Sequence, residues 1–308
     1  MTDDSGGDGS DGSDGGQVVE RKAAEEAFEL LSNDTRLGIL KALFQTDDPR
    51  TFSELREAVG MRDSGQFNYH LDKLLGTFVR VTEEGYELTT AGTRVVGAIL
   101  AGEFTKTFEG DPVPVDGECQ LCGAQLAGSF EGNRIRIACE DCERDVISLN
   151  MLPGALEPYP REEWPLVAER WTRRELEMVR AGFCPTCRGP VDSEMTVDQS
   201  DLVDLFEAVV TYTCRRCTME MSANAATSVV PHPAVVGFLH DHGVDVGGTP
   251  LWKLEWAVSP TGRVVSSDPV RVEIPIDADG DRLVLVLDEH ASVIDERREE
   301  DRGAPNQS

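Results

Sequence analysis

The eight cysteines carry the clearest chemistry in the sequence. Each belongs to a Cys-x-x-Cys pair: Cys119 with Cys122, Cys139 with Cys142, Cys184 with Cys187, and Cys214 with Cys217. In a chain expected to stay in a reducing compartment, such pairs point to metal ligation before disulfides. A Zn²⁺ ion takes four soft ligands in a tetrahedron, at about 2.3 Å from sulfur, and one knuckle supplies two of them. Cys119-x2-Cys122-x16-Cys139-x2-Cys142 predicts one zinc site, and Cys184-x2-Cys187-x26-Cys214-x2-Cys217 predicts a second. Pairing across the two modules is the alternative, but the shorter loops close at lower entropic cost. Four cysteines can also hold an iron–sulfur cluster, although these even pairs favour zinc. A Cys-x-x-Cys redox motif needs a βαβ context, which the pattern does not offer. A closed four-thiolate site has no open coordination position, so both zincs are expected to be structural and the chain is not expected to be an enzyme. Thiolate oxidation or loss of the metal would be the route to a sensing role.

The elements around the knuckles follow from the pattern. Gly123 stands where a positive φ lets backbone N–H groups point at sulfur. Segments 124–130 and 134–138 read as the strands of a zinc ribbon, and 209–213 and 219–222 as strands flanking the last knuckle. Residues 161–181 form an amphipathic helix with Trp164, Val167, Ala168, Trp171, Leu176 and Val179 on its apolar face. Asp111-Pro-Val-Pro114 reads as a stiff linker, 233–242 as a short helix, and 251–258, 264–265, 270–276 and 283–287 as strands. His232, His240 and His242 invite a metal reading, but a polar helix end accounts for them better. The pattern gives neither a phosphate-binding glycine loop nor a Ser–His–Asp order.

Before the first cysteine the pattern is helical. Ala24, Ala27, Phe28, Leu30 and Leu31 form an apolar stripe; Ser32 or Asn33 then caps a helix over 34–44, with Leu37, Leu40, Leu43 and Phe44 inward. Thr51 or Ser53 caps a short helix over 52–59, and Asp63 or Ser64 caps a helix over 64–75. Segments 78–82 and 86–90, joined by Glu83-Glu84-Gly85, predict a hairpin, and 91–104 a last helix. This order fits a winged helix-turn-helix. In 64–75, Phe67, Leu71 and Leu74 recur at i, i+4 and i+7 and face inward, leaving Ser64, Gln66, Asn68, Tyr69 and Lys73 outward. Gln and Asn can pair with base edges, Ser and Tyr reach phosphates, and Lys neutralises one, so these five are the expected DNA contacts. His70 is expected to be a packed residue, and a winged helix can also serve protein contacts alone.

The segments LLSNDTRLGILKAL (30–43) and FSELREAVGMRDSGQFNYHLDKLLGTFVRVTEEGYELTTAG (52–92) resemble arsenic-repressor-type (ArsR-like) winged-helix regulators of haloarchaeal kind. The resemblance implies a transcription regulator, a homodimer joined through the first and last helices, and binding to a pseudo-palindromic double-stranded DNA operator. It places 64–75 as the recognition helix, with Asn68, Tyr69 and His70 at its centre. The metal-sensing Cys-x-Cys of that family is missing, and the wing tip carries Glu83-Glu84 where a phosphate-gripping cation is expected. A winged helix followed by a zinc ribbon is also similar to the layout of archaeal general transcription factor E, which implies contact with RNA polymerase instead.

Length and charge bound these readings. The chain has 308 residues and a formal charge of -28, spread along its length, with lysine only at positions 22, 41, 73, 106 and 253. Such a composition suits a very salty cytosol, where a Debye length of roughly 3 Å screens long-range repulsion from DNA. The same salt removes most of the counterion-release drive, leaving short-range contacts to supply affinity. An acidic protein that never meets nucleic acid is the plain alternative. No apolar leader or membrane span is visible, so the expected location is the cytoplasm. The expected class is α+β multidomain: a disordered acidic tail (1–20), a winged helix-turn-helix (21–108), a first zinc ribbon (115–158), a connecting helix (159–182), a second zinc-ribbon-like module (183–231), a small α/β region (232–296) and a disordered tail (297–308).

Overall fold

The computed structural model describes residues 23–197 and 206–299. The tail expected over 1–20, and residues 300–308 of the tail expected over 297–308, lie outside the described residues. The chain divides into two compact units, Met1–Leu100 and Ala101–Ser308, and is mixed α/β with several small antiparallel sheets. Among the described residues, no helix is long and apolar enough to cross a membrane.

The first unit holds α1 (Ala24–Leu31), α2 (Asp34–Phe44), α3 (Phe52–Ala58), α4 (Ser64–Leu74), the hairpin β1 (Val79–Val81) and β2 (Tyr86–Leu88), and α5 (Thr90–Leu100). Three caps fix where its helices begin. The Asn33 side chain accepts the Arg36 N–H, Thr51 and Glu54 form a reciprocal capping box, and Asp63 accepts the Gln66 N–H at 2.9 Å. The core joins Ile39, Leu40 and Leu43 of α2 to Leu55, to Phe67, Leu71 and Leu74 of α4, and to Val96 of α5. Phe44, expected inside, is exposed, and Ile39 and Ala42 are buried instead. A Cβ at Gly38 would stand 3.5 Å from Val59, the residue that ends α3, so this side of α2 faces α3 closely. The hairpin needs its glycine for close approach: Gly85 has φ 148°, and a Cβ there would stand 2.5 Å from the Arg50 carbonyl oxygen. Arg50 and Tyr86 exchange both backbone hydrogen bonds, at 3.0 and 2.9 Å, which ties the hairpin to the loop before α3.

The second unit opens with a four-stranded meander, β3 (Gly110–Glu118), β4 (Gln125–Glu131), β5 (Arg134–Cys139) and β6 (Asp145–Asn150). The expected linker over 111–114 is thus part of a strand. Its two prolines are tolerated because β3 is an edge strand, where a missing N–H need not face a partner. Then follow α6 (Pro153–Leu156), α7 (Trp164–Arg180), a three-stranded antiparallel sheet of β7 (Val191–Thr196), β8 (Val209–Cys214) and β9 (Glu220–Asn224), and α8 (Ala225–Ser228), α9 (Pro233–Asp241) and α10 (Glu255–Val258). A last antiparallel sheet is ordered β10 (Arg263–Ser267), β11 (Val270–Ala278), β12 (Asp281–Leu287) and β13 (Val293–Glu299).

Two corrections concern this region. Residues 251–258 are a 3-10 turn followed by α10, not a strand. Arg297, expected in the tail, pairs with Val284 inside β13. Helix α7 serves two cores. Trp164, Val167 and Ala168 pack with the meander, whereas Leu176 and Val179 pack with Tyr212, Phe238, Ile274 and Leu285. Residues on both sides of position 231 therefore share one core. A nearly buried ion pair, Glu169 with Arg173, locks the loop before α10 onto α7: Glu169 accepts the Leu251 N–H at 3.1 Å, and Arg173 donates to the Val246 carbonyl at 2.8 Å.

Candidate functional site

The topology brings the four knuckles together in twos. In the meander the β3–β4 turn carries Cys119 and Cys122, and the β5–β6 turn carries Cys139 and Cys142; antiparallel order puts both turns at one end of the sheet. Cys184 and Cys187 precede β7, whose first residue pairs with Cys214 at the end of β8, so the third and fourth knuckles meet in the same way. All four knuckles close alike. The N–H of the leading cysteine donates to the carbonyl five residues on: Cys119 to Ala124 at 2.8 Å, Cys139 to Arg144 at 3.0 Å, Cys184 to Gly189 at 2.9 Å and Cys214 to Met219 at 3.1 Å. Gly123, Glu143 and Arg188, each just after a second cysteine, have φ of 75°, 54° and 61°. The positive φ expected at Gly123 is present, and two non-glycine residues adopt it as well.

Each group of four sulfurs lies within 4.8 Å of one another, and all eight cysteines are free of disulfides. Sulfur–sulfur separations are 3.6 Å for Cys119–Cys142, 3.4 Å for Cys122–Cys139, 3.7 Å for Cys184–Cys217 and 3.5 Å for Cys187–Cys214. A disulfide would need about 2.05 Å. A tetrahedron with metal–sulfur bonds of about 2.3 Å has edges of about 3.8 Å, so both groups can hold one metal ion each. Backbone donors face the same sulfurs: the N–H groups of Cys142 and Cys187 reach Cys139 and Cys184 at 3.4 Å, and that of Arg216 reaches Cys214 at 3.3 Å. Gly189 is packed against the second group. A Cβ there would meet Arg216 Cβ at 2.9 Å, Cys187 Sγ at 3.1 Å and Cys214 Sγ at 3.4 Å.

The electrostatics favour a cation. The Cys142 N–H holds Cys139 down to about 7, against the opposing effect of burial, and the Arg216 N–H holds Cys214 down to about 6. Cys122 and Cys217 go the other way, to about 12. The N–H groups of Ala124 and Met219 oppose the rise, but hydrogen bonds with neighbouring thiols and burial together exceed them. Four adjacent thiols without a metal therefore share protons at neutral pH. A divalent cation replaces those protons and removes the repulsion among four thiolates.

On α4, Phe67, Leu71 and Leu74 are fully buried, and Ser64, Gln66, Asn68, Tyr69 and Lys73 are all exposed. The outer face carries an internal pairing: Asn68 Nδ2 donates to Asp72 Oδ2 at 2.7 Å, and the Lys73 ammonium lies 5.7 Å from the Tyr69 ring. His70 is half-buried, its Nδ1 has no hydrogen-bond partner among the described residues, and burial followed by the Arg36 charge pushes its pKa down. On the hairpin, Glu83 and Glu84 are exposed, and Arg80 is paired with Glu87 at 2.6 Å. The three histidines near α9 do not gather. His232 caps α9, and His242 joins the Phe238 carbonyl at 2.8 Å and Asp281 at 3.2 Å. The sequence reading missed Arg144, which lines a cavity walled by β6, α7, β8 and β9. No sequence signal marks it, because the cavity walls come from segments far apart in the chain.

Two family models match the chain. The family described as Domain of unknown function (DUF7351) matches residues 116–293, more than half of the chain, and Domain of unknown function (DUF7347) matches residues 24–99. Neither the curated proteins nor the solved structures compared with the chain include a match.

Proposed function

We propose that this chain, which belongs to the DUF7351 family, is a cytoplasmic transcription regulator that reads promoter DNA through a winged helix-turn-helix in its first unit. The observation that carries the reading is the division of α4: one face is fully buried through Phe67, Leu71 and Leu74, and the other presents Ser64, Gln66, Asn68, Tyr69 and Lys73 to solvent. A short helix with a packed inner face and an amide-rich outer face is what major-groove readout requires. The likeness to arsenic-repressor-type regulators supports the same reading, with β1–β2 as the wing. It also supports a homodimer through α1 and α5, where Phe28 and Leu100 are exposed. The two cysteine groups hold Zn²⁺ as structural ions in ribbon-like modules. Sulfurs within 4.8 Å of one another leave room for one ion, not for an iron–sulfur cluster, and no open coordination position is left for catalysis.

The test is a mobility shift of the chain's own promoter fragment in molar salt. A sequence-dependent shift supports the reading, and no shift on any native promoter counts against it. One observation favours a second reading. The hairpin tip is acidic, and its nearby cation Arg80 is already paired with Glu87, which suits a protein partner better than phosphates. In that reading the chain contacts RNA polymerase, as the layout similar to general factor E suggests. Co-purification of polymerase subunits without sequence-specific DNA binding would favour it.

A further inference from the structure

The second unit contains a cavity of about 280 Å³ that neither metal group uses. Its walls combine apolar side chains, Val146 from β6, Leu176 from α7, Val209 from β8 and Met221 from β9, with the polar Thr172 and Asn224 and the carboxyls of Asp145 and Glu175; Asp145 is paired with Arg136. Among these lining residues Arg144 is the one cation. The Arg144 Nη2 donates to the Val258 carbonyl at 2.7 Å, and its guanidinium carbon lies 4.6 Å from the Phe206 ring centroid. Its Nε is buried and has no hydrogen-bond partner among the described residues. Cys119 and Cys142 lie near enough to act on its charge, so Arg144 borders both the first cysteine group and the cavity. The Phe206 ring and the Val258 carbonyl hold the guanidinium in one orientation, as a site for a planar anion needs.

We propose that this cavity binds a small carboxylic acid with an apolar body, its carboxylate held by Arg144. The volume is equivalent to on the order of nine waters at about 30 Å³ each, which suits a single aromatic ring or a short alkyl chain and excludes a nucleotide. Glu175 stands in the same wall and accepts the Trp171 Nε1–H at 2.9 Å. Burial pushes its carboxyl up, although the Trp171 hydrogen bond opposes this, and a carboxyl that protonates more easily tolerates a second carboxylate nearby. The cavity also borders the first cysteine group through Arg144 itself, whose carbonyl accepts the Cys139 N–H at 3.0 Å. The inference does not depend on what the first unit binds.

Benzoate and hexanoate, titrated calorimetrically into the full chain with its metals bound, test it; benzamide is the uncharged match for benzoate. Saturable binding of at least one acid is expected, with Kd between about 10 µM and 1 mM, and benzamide at least tenfold weaker. Arg144→Gln should weaken the acid at least tenfold, and Ala223→Trp, which fills the space, should abolish binding. Unchanged metal content and melting temperature establish that each variant is folded. If Arg144→Gln fails to fold, Arg144→Lys takes its place, with several-fold weaker binding expected, and Ala223→Trp stands as the independent check. Equal binding of benzamide, affinity indifferent to both substitutions, or no saturable heat from either acid by about 10 mM overturns the proposal.

Discussion

Cys119 and Cys142 bring their sulfurs to 3.6 Å across 23 residues of chain, and the meander between them makes that approach possible. The first metal group is thus a product of sheet register as much as of ligand spacing. Leu126 pairs with Cys139 across β4 and β5, which sets the height at which the second knuckle meets the first. Removing one ligand should therefore release the metal and loosen the end of the sheet. Cys142→Ser is expected to lower the metal content from two ions per chain to one by elemental analysis. The melting temperature of the second unit should fall by several degrees, with the first unit's transition unmoved. Retention of two ions would refute the assignment of that ligand.

Gly189 and Gly123 offer a paired test of why glycine occupies each knuckle. Gly189→Ala pushes a methyl into Arg216 and two sulfurs, so it should cost about 1–3 kcal/mol and accelerate metal loss to a chelator from the second group only. Gly123→Ala meets nothing within 4 Å and is opposed only by its φ of 75°, a penalty of about 1–2 kcal/mol at the first group. Chelator competition followed at each group separates the two effects.

Much of this was legible beforehand, and the failures have physical causes. Ligand spacing and caps are local, so the cysteine fours and the starts of α2, α3 and α4 can be read from neighbouring residues. Residues 251–258 misled because both periods fit. Trp252, Leu254, Trp256 and Val258 alternate like a strand, whereas Leu251, Leu254, Ala257 and Val258 follow a helical spacing, and Trp252 is buried along with this second set. Pro250 just ahead of the turn is compatible with the helical outcome. Strand β13 was hidden by its charge. Its run of exposed residues reads as a tail, yet on an edge strand charged side chains guard against further pairing, and Arg297 joins Glu273 across the sheet at 2.6 Å. The Arg144 cavity is walled by elements far apart in the chain and has no local signature.

Substitutions on the two faces of α4 should separate stability from binding. Phe67→Ala is expected to cost about 3–5 kcal/mol of stability, because the ring is fully buried. Asn68→Ala should leave stability within about 0.5 kcal/mol and weaken operator binding by about 1–3 kcal/mol. Lys73→Ala should weaken binding evenly across sequences and reduce the salt slope by about 1. Melting curves and quantitative shifts at several salt concentrations check these together. A large stability loss from Asn68→Ala would mean that its pairing with Asp72 is structural.

His242 gives a pH dependence of defined sign. Its hydrogen bond to the Phe238 carbonyl, followed by the contact with Asp281, raises its pKa above the usual value near 6.5. The folded chain therefore binds that proton more tightly than the unfolded chain. The resulting stability is fully present below about pH 6.5 and is lost as pH rises through the folded value. His242→Gln should narrow its stability gap to the parent as pH is raised from about 6 to 8, measured by denaturant titration at each pH. A gap that widens over that range would reverse the sign and reject the pairing as its cause.

The central claim is that the outer side of α4 reads base sequence, and genome-wide mapping of the bound protein in its own cells addresses it most directly. Discrete sites sharing a pseudo-palindromic sequence are predicted, and they should vanish for a chain carrying Asn68→Ala and Tyr69→Ala at unchanged abundance. Occupancy that follows RNA polymerase with no common sequence, and that the double substitution leaves intact, would contradict it.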